Sequence, residues 1–143
     1  IRCGWVSSHL LYQEYHDTQW GRPELDDQEL FAKLCLDGQQ AGLSWFTILQ
    51  KQKNYEEAFF NFDAHKIIQF TDEDVEALLQ NPGIIRNRLK VNSIIRNAKA
   101  YLAIKEKQTF CDYIFFQDDS YCCSCNDFPS LVKIKTKSWH PSF

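Results

Sequence analysis

The sequence predicts an all-α protein, and three observations lead to that class. Apolar side chains recur every three or four residues along several segments, N-cap residue types precede those segments, and no stretch before residue 109 alternates as a strand does. The 143 residues, 44% of them hydrophobic and 15% aromatic, are enough to bury a core. This composition excludes a disordered or low-complexity chain.

The first helices are predicted from their capping residues. Residues 1–25 are rich in aromatic side chains and lack periodicity, so we expect an irregular segment that packs on the body or forms a pocket wall. Asp26 predicts the N-cap of a helix because Glu29 follows at the third position. Gly38 is expected to end or kink that helix. Ser44 predicts the cap of the next one.

A pair of helices joined by a tight turn is predicted further along the chain. Thr71 with Asp74 forms a capping-box pattern at the start of the first helix. The Asn-Pro-Gly sequence at 81–83 should stop that helix, because proline cannot continue it and glycine adopts unusual backbone angles. Residues 84–105 then carry another helical stripe of apolar side chains.

Positive charge is concentrated just after this predicted turn. The net charge of the chain is -3, yet residues 84–105 hold six basic residues and no acidic one. A basic segment on an acidic body is a candidate phosphate-binding face. A solvated helix face explains the same charges, so charge alone leaves both interpretations open.

Membrane and disulfide-rich classes are disfavoured by the sequence. Its apolar runs are far shorter than the roughly 20 residues of a membrane span, and no secretory signal pattern opens it. We therefore expect no membrane partner. The six cysteines invite a disulfide interpretation, which suits a chain this large and apolar poorly. Cys35 lies in a helical apolar pattern and is expected in the core.

Three stretches of the sequence resemble one family in their order and spacing. They are RCGWVSSHLLYQEYHDTQWG (2–21), LDGQQAGLSWFTILQKQKNY (36–55) and NPGIIRNRLKVNSIIRNAKAYL (81–102). Over residues 2–114 the chain resembles the bacterial DNA-3-methyladenine glycosylases of type I, which are helix-hairpin-helix DNA-repair enzymes. The resemblance implies a monomeric, cytoplasmic base-excision glycosylase that hydrolyses the N-glycosidic bond of 3-methyladenine in alkylated double-stranded DNA.

The resemblance implies that the tight turn binds DNA. A helix-hairpin-helix offers backbone N–H groups to phosphate oxygens without reading bases. Gly83 allows close backbone approach, and Arg86, Arg88 and Lys90 add positive charge. A Pro-Gly junction between two helices of an unrelated helical protein is the alternative for this motif taken alone.

The resemblance also implies a pocket for the damaged base, which has to leave the duplex before its glycosidic bond can be reached. The positions that match the family's base-binding aromatics are Trp5, Tyr12, Tyr15 and Trp45. A base methylated at N3 in DNA carries positive charge, so aromatic faces attract it by about 0.5–2 kcal/mol beyond stacking. Core aromatics are the alternative interpretation of these residues.

The resemblance implies that Asp37 is the catalytic acidic residue. The family carries a glutamate here that accepts hydrogen bonds from the adenine edge, and the aspartate is one methylene shorter. A surface residue near a helix end is the alternative. We identify no lysine that has to form a Schiff base, and residues 84–105 contain no acid after the turn, so a monofunctional glycosylase is expected.

A structural Zn²⁺ is implied by the same family, with two ligands from each end of the chain. Cys3 and His16 match the N-terminal pair, and both are good tetrahedral zinc ligands. A buried thiol and a pocket histidine are the alternatives. The expected C-terminal His-x-x-x-Cys pair is absent, so zinc binding can be lost in this chain. The late candidates have another spacing: Cys122, Cys123, Cys125 and His140.

From about Phe115 onward, over residues 115–143, the sequence no longer resembles the family. We expect a C-terminally incomplete glycosylase domain at 1–114 and a divergent tail that arose from a reading-frame change or a truncated gene. Two other interpretations stay open. The chain could be an inactive, truncated helix-hairpin-helix remnant that still binds DNA, or a helical scaffold without a nucleic-acid partner.

Overall fold

The all-α prediction is confirmed by the computed structural model, which describes residues 2–115. The expected tail lies outside the described residues except for Phe115. No strand occurs in this described range, and none of its helices is long and apolar enough to cross a membrane. The α-helices are α1 (Leu10–Thr18), α2 (Asp27–Gln40), α3 (Trp45–Ala58), α4 (Ala64–Ile67), α5 (Asp72–Gln80), α6 (Arg88–Lys105) and α7 (Phe110–Phe115), with a short 3-10 turn at Phe60–Phe62.

The described residues fall into two compact units. One contains residues 2–24 and therefore α1, and the other spans Leu25–Phe115 and holds the remaining helices. Their grouping into one domain, 1–114, stays a prediction.

The predicted helix starts are confirmed where a side-chain oxygen caps the backbone. Asp26 Oδ1 accepts the N–H groups of Gln28 and Glu29 at 2.9 and 3.0 Å. Thr71 and Asp74 form the predicted capping box at the start of α5. These caps satisfy N–H groups that have no partner within the helix, which is why each helix begins there.

Three expectations about helix bounds are wrong. α1 forms within the segment expected to be irregular, and the imidazole of His9 caps it by accepting the N–H of Leu11 at 3.2 Å. Its side chains are largely aromatic and polar, so they lack the apolar stripe that a helix usually shows. Gly38 neither ends nor kinks α2, which continues to Gln40. α6 begins only at Arg88, after extended backbone at the Asn87 cap.

The core of the larger unit surrounds α6, which packs against α2, α4, α5 and α7. Cys35 lies in this core as predicted and is fully buried, and burial raises the pKa of its thiol to about 12. Such a thiol is a poor nucleophile at neutral pH. The largest fully buried side chains of this core are Tyr55, Phe31, Phe59, Phe62, Ile48 and Ile67.

Candidate functional site

Trp5 lies at the centre of an aromatic cluster in the 2–24 unit. Its ring centroid is 5.0 Å from Tyr12, 5.4 Å from His16 and 5.2 Å from Trp20. The ring of buried Tyr15 is 6.5 Å from Trp20. Tyr12, Tyr15 and His16 lie three and four positions apart on α1 and share a face of that helix, whereas Trp5 and Trp20 come from the segments before and after it. The structure thus brings together three of the four aromatics expected to bind the base.

Cys3 and His16 also meet in this unit. The Cys3 backbone N–H donates to His16 Nε2 at 3.4 Å, and His16 Nδ1 is 2.9 Å from Asp17 Oδ1. The guanidinium of Arg2 holds the other side of Asp17 at 2.7 Å. Arg2, together with His16, lowers the pKa of the Asp17 carboxyl to about 2. The carboxylate therefore fixes the orientation of the His16 ring.

The donor set of this pair suits zinc. Thiolate sulfur and imidazole nitrogen are the ligands that structural zinc prefers, and a carboxylate on the other ring nitrogen is a common support. Residues 2–115 contain no group of three or more potential metal ligands. Cys3 and His16 would therefore supply at most two of the four ligands of a tetrahedral site, and the late candidates Cys122, Cys123, Cys125 and His140 lie outside the described residues.

The Leu25–Phe115 unit carries a second cluster, formed by an acid, a cation and an aromatic ring. The Lys33 Nζ is 2.8 Å from Asp37 Oδ1 and 3.5 Å from the centroid of the Trp45 ring. Lys33 and Asp37 stand one turn apart on α2, and their side chains are 45% and 42% exposed. Asp37 and Trp45 therefore already share one positively charged group.

A sharp turn between α2 and α3 places Trp45 beside α2. Gly42 adopts φ +77°, a left-handed conformation that favours glycine. Ser44 then caps α3, its Oγ accepting the N–H of Thr47 at 3.1 Å. Trp45 is consequently the first residue of α3, at the end that faces back toward α2 through Lys33.

Residues 81–87 form the predicted turn between α5 and α6. Asn81 Oδ1 accepts the N–H of Gly83 at 2.8 Å, and Asn54 Nδ2 donates to the Gly83 carbonyl at 3.2 Å. A Cβ on Gly83 would lie 2.9 Å from Asn81 Oδ1 and 3.0 Å from Asn54 Cβ. This close approach requires glycine, although the Gly83 N–H is engaged by a side chain of the turn itself.

The two arginines of the turn differ in their surroundings. Arg86 is exposed and forms no ion pair with any residue in the 2–115 range. Arg88 pairs with Glu76 of α5. Both side chains lie on the surface, so Arg86 presents its charge directly to solvent whereas Arg88 has an acidic partner.

Lys90 faces the protein body. Its Nζ donates to the carbonyl oxygens of Gln39 and Ala41, both at 2.7 Å. These carbonyls lie at the C-terminal end of α2, where unpaired carbonyl groups attract positive charge. Burial lowers the pKa of Lys90. The Lys90 ammonium is thus engaged at α2, and its expected contact with DNA stays a prediction.

A buried hydrogen-bond chain links the turn to α2. The Ile85 N–H donates to the Tyr55 hydroxyl at 3.0 Å, and that hydroxyl donates to Gln39 Oε1 at 3.2 Å. Gln39 Nε2 in turn donates to the Lys90 carbonyl at 3.1 Å. Gln39 is fully buried, so every polar atom of its amide needs such a partner.

Sequence reasoning missed two residues of these clusters. Lys33 precedes Asp37 by four residues, and that helical spacing was a signal for the ion pair. Gln39 gave no signal, because its partners lie 16 and 51 residues away along the chain. Its burial only becomes evident once the helices are packed.

The fold and these clusters define a class of protein. An all-α body with a tight, arginine-bearing turn between two helices fits the helix-hairpin-helix glycosylase class that the resemblance implies. The chain belongs to the methyladenine glycosylase family, because the sequence model of that family matches residues 5–138. This match confirms the family expected from the three sequence stretches.

Individual relatives agree with this assignment. The DNA-3-methyladenine glycosylase of Haemophilus influenzae is 47% identical over 138 residues, which cover 96% of this chain and 74% of that protein. DNA-3-methyladenine glycosylase 1 of Escherichia coli is 50% identical over 115 residues, covering 80% of this chain and 62% of its own length. A crystal structure of a 3-methyladenine DNA glycosylase I superposes with a TM-score of 0.79 at 51% identity, covering 80% of this chain and 63% of that one.

These matches bear on how much of a glycosylase the chain represents. It spans less than two thirds of the Escherichia coli protein and of the crystallised one. The family description and the Haemophilus influenzae alignment both extend past residue 114. The expected origin of residues 115–143 in a frame change or truncation stays a prediction.

Proposed function

We propose that this chain is a monofunctional DNA-3-methyladenine glycosylase, which hydrolyses the N-glycosidic bond of 3-methyladenine in alkylated double-stranded DNA. Membership of the methyladenine glycosylase family supports the reaction class. The names of two relatives at 47% and 50% identity support the substrate. We propose that the protein acts as a monomer.

The cluster around Asp37 is the observation that carries this proposal. Asp37 and the Trp45 ring hold the Lys33 ammonium between them, at 2.8 and 3.5 Å. The same pair of groups suits a base that carries positive charge, because a carboxylate attracts it and the ring face adds a cation–π interaction. Undamaged adenine, which is neutral, lacks both terms. In this proposal Asp37 accepts hydrogen bonds from the base and is the catalytic residue.

The aromatic cluster of the 2–24 unit supports base binding too. Trp5, Tyr12 and Tyr15 offer ring faces of the kind on which an extrahelical base stacks. Trp5 is 40% exposed, so part of its ring is available to a ligand. We propose that these three residues and Trp45 bind the damaged base.

The turn at 81–87 supports DNA binding through phosphates. Gly83 is required by the tight packing of the turn against Asn81 and Asn54, and Arg86 presents an exposed charge to solvent. Arg88 and Lys90 complete the proposed basic set, after exchange of their present partners Glu76 and Gln39. Contacts of this kind position the duplex without reading its sequence, and they make affinity fall steeply with salt.

Hydrolysis of the glycosidic bond of a base methylated at N3 needs little help from protein side chains. When the bond between N9 and C1′ breaks, its electron pair stays on N9 and cancels the positive charge of the methylated base. Water adds to C1′ and releases a proton to solvent, which leaves an abasic sugar and a neutral base. A site that binds the departing base more tightly than the intact nucleotide accelerates this step. Because the base loses its positive charge, its charge attraction to Asp37 weakens along the reaction, so in this proposal Asp37 acts by holding and orienting the base through the hydrogen bonds that it accepts.

We also propose that Cys3 and His16 contribute two ligands to a structural Zn²⁺. The ion would tie the N-terminal segment to ligands elsewhere in the chain and would take no part in the reaction. The fixed orientation of His16 on Asp17 supports this role. Metal content of the gently purified protein is the measurement, with Cys3→Ala as the variant. About one zinc per chain in the wild type and a clear loss in the variant is expected, and a zinc-free wild type contradicts the proposal.

Release of free 3-methyladenine from methylated duplex DNA tests the proposed activity. The folded chain should liberate the base and leave intact abasic strands, because no Schiff base forms. Salt-dependent duplex binding without release would favour the alternative of an inactive, truncated DNA-binding remnant. Absence of both base release and DNA binding would favour the other alternative, a helical scaffold without a nucleic-acid partner.

A further inference from the structure

We propose that Lys33 is an internal competitor for the base site, so that its side chain has to leave Asp37 and Trp45 before a base is bound. Lys33 would then set the affinity of the site for its ligand. This inference rests on the proposed function of Asp37 and Trp45 as base-binding residues. It concerns a residue that the resemblance does not assign.

The geometry supports a competitor rather than a passive neighbour. The Lys33 Nζ lies 3.5 Å from the centroid of the Trp45 ring, over the face on which a base would stack. The same nitrogen is 2.8 Å from Asp37 Oδ1. In the proposed function this oxygen accepts hydrogen bonds from the edge of the adenine ring. A ligand that stacks on that face and bonds that oxygen cannot share the space with the ammonium.

The side chain is also able to leave. The Lys33 side chain is 45% exposed and lies on α2. Its ammonium group can therefore move into water without unfolding the helix. An exposed ion pair one turn apart is weak, and a cation–π contact at a partly exposed site is modest. Their joint loss corresponds to a three- to tenfold weakening of base affinity relative to a site that is open.

Charge adds a second effect. A displaced Lys33 stays tethered near the site and repels a cationic ligand more than a neutral one, within the reach that salt screening allows. Removing Lys33 should therefore help a permanently cationic base more than a neutral base. A lysine with only a structural role would not distinguish the two ligands.

The test compares Lys33→Ala with the wild type and with Lys53→Ala, in which an exposed lysine of α3 is removed instead. The probes are neutral 3-methyladenine and cationic 3,9-dimethyladenine, and their affinities are measured by calorimetry. We expect Lys33→Ala to bind 3-methyladenine three- to tenfold more tightly and 3,9-dimethyladenine by a larger factor. Lys53→Ala should match the wild type, and Lys33→Arg should keep the weaker affinity.

A second measurement follows Lys33 directly in the wild type. Its ε-methylene protons should be shifted upfield by the Trp45 ring in the free protein, and should return to ordinary values when 3-methyladenine saturates the site. Unchanged shifts at saturation overturn the inference. Equal or weaker binding by Lys33→Ala also overturns it, while base binding and release by the wild type leave the proposed function intact. If no variant binds or releases the base, both fail together.

Discussion

Gln39 and Lys90 hold each other by two hydrogen bonds that run in opposite directions. The Lys90 Nζ donates to the Gln39 carbonyl at 2.7 Å, and Gln39 Nε2 donates to the Lys90 carbonyl at 3.1 Å. These two residues lie 51 positions apart, on α2 and on the first turn of α6. The pair therefore fixes the end of the helix that carries Asp37 to the start of the helix that follows the turn at 81–87.

Gln39→Leu should destabilise the fold by about 2 kcal/mol, because it leaves a buried hydroxyl without its acceptor. The Tyr55 hydroxyl donates to Gln39 Oε1, and the Gln39 side chain is fully buried. Urea unfolding measures the loss. Gln50→Leu, at an exposed position of α3, is the matched control and should change stability by less than about 0.5 kcal/mol. Equal effects in the two variants would contradict a special role for Gln39.

Tyr55 predicts a drop in stability at alkaline pH. Burial raises the pKa of its hydroxyl to about 12, whereas in the unfolded chain it ionises near 10. The folded state keeps the proton longer, so the stabilisation is complete below pH 10 and is lost as the pH rises through 12, by at most about 3 kcal/mol. Tyr55→Phe should lower stability at pH 8 but flatten this alkaline drop. Parallel pH profiles of the two proteins would refute the assignment.

Gly83→Ala should destabilise the protein and weaken DNA binding. The new Cβ would lie 2.9 Å from Asn81 Oδ1 and 3.0 Å from Asn54 Cβ, and such overpacking typically costs about 1–3 kcal/mol. Gly38→Ala is the contrasting variant, because its added Cβ would meet no atom within 4 Å beyond its chain neighbours and the backbone of α2 itself, and the site is inside α2. It should stabilise the helix by about 0.5–1 kcal/mol. Thermal unfolding is the measurement, with a lower Tm expected for Gly83→Ala and a higher Tm for Gly38→Ala.

The arginines of the turn predict how DNA affinity depends on salt. Arg86→Gln should reduce the slope of log affinity against log salt by about 1, the value for one phosphate contact. Glu76→Gln should raise affinity two- to threefold at low salt, since it frees Arg88 from its ion pair. Glu73→Gln removes the same charge from the same helix without touching an arginine. If both glutamate variants gained DNA affinity by the same factor, the gain would come from the change in net charge and not from the release of Arg88.

The sequence allowed prediction of whatever depends on near neighbours. Helix starts at Asp26, Ser44 and Thr71 follow from side chains that bond the backbone two or three residues on, so a local pattern is sufficient. α1 was missed because its face is aromatic rather than aliphatic, and the expected stop at Gly38 was wrong because packing of α2 outweighs a modest helix propensity.

The candidate site was predictable only as residue types. Asp37 and Trp45 were expected from the resemblance, but the lysine between them depends on how the turn at Gly42 brings α3 back to α2. Lys90 was expected to add positive charge for DNA phosphates because the resemblance implies a DNA-binding turn just before it. Its position at the α2 carbonyls is set by contacts about 50 residues away, which no local pattern records.

Asp37→Asn should lower the rate of 3-methyladenine release by about ten- to hundredfold, because a charge-assisted hydrogen bond to the base becomes a neutral one. The variant should still fold, since the exposed Lys33–Asp37 pair contributes at most about 0.5 kcal/mol. Single-turnover release from methylated duplex DNA is the measurement. Glu57→Gln, which neutralises an exposed acid on α3, should release base at the wild-type rate.

Asp37→Glu distinguishes a base-contacting role from a purely electrostatic one. A glutamate restores the charge and extends the reach by one methylene, so release should equal or exceed that of the wild type if the carboxylate bonds the adenine edge. If Asp37 only supplied negative charge to the surface around α2, Asp37→Asn and Glu57→Gln would raise DNA affinity by similar small factors, and neither would slow release. A wild-type release rate in Asp37→Asn would remove Asp37 from the reaction altogether.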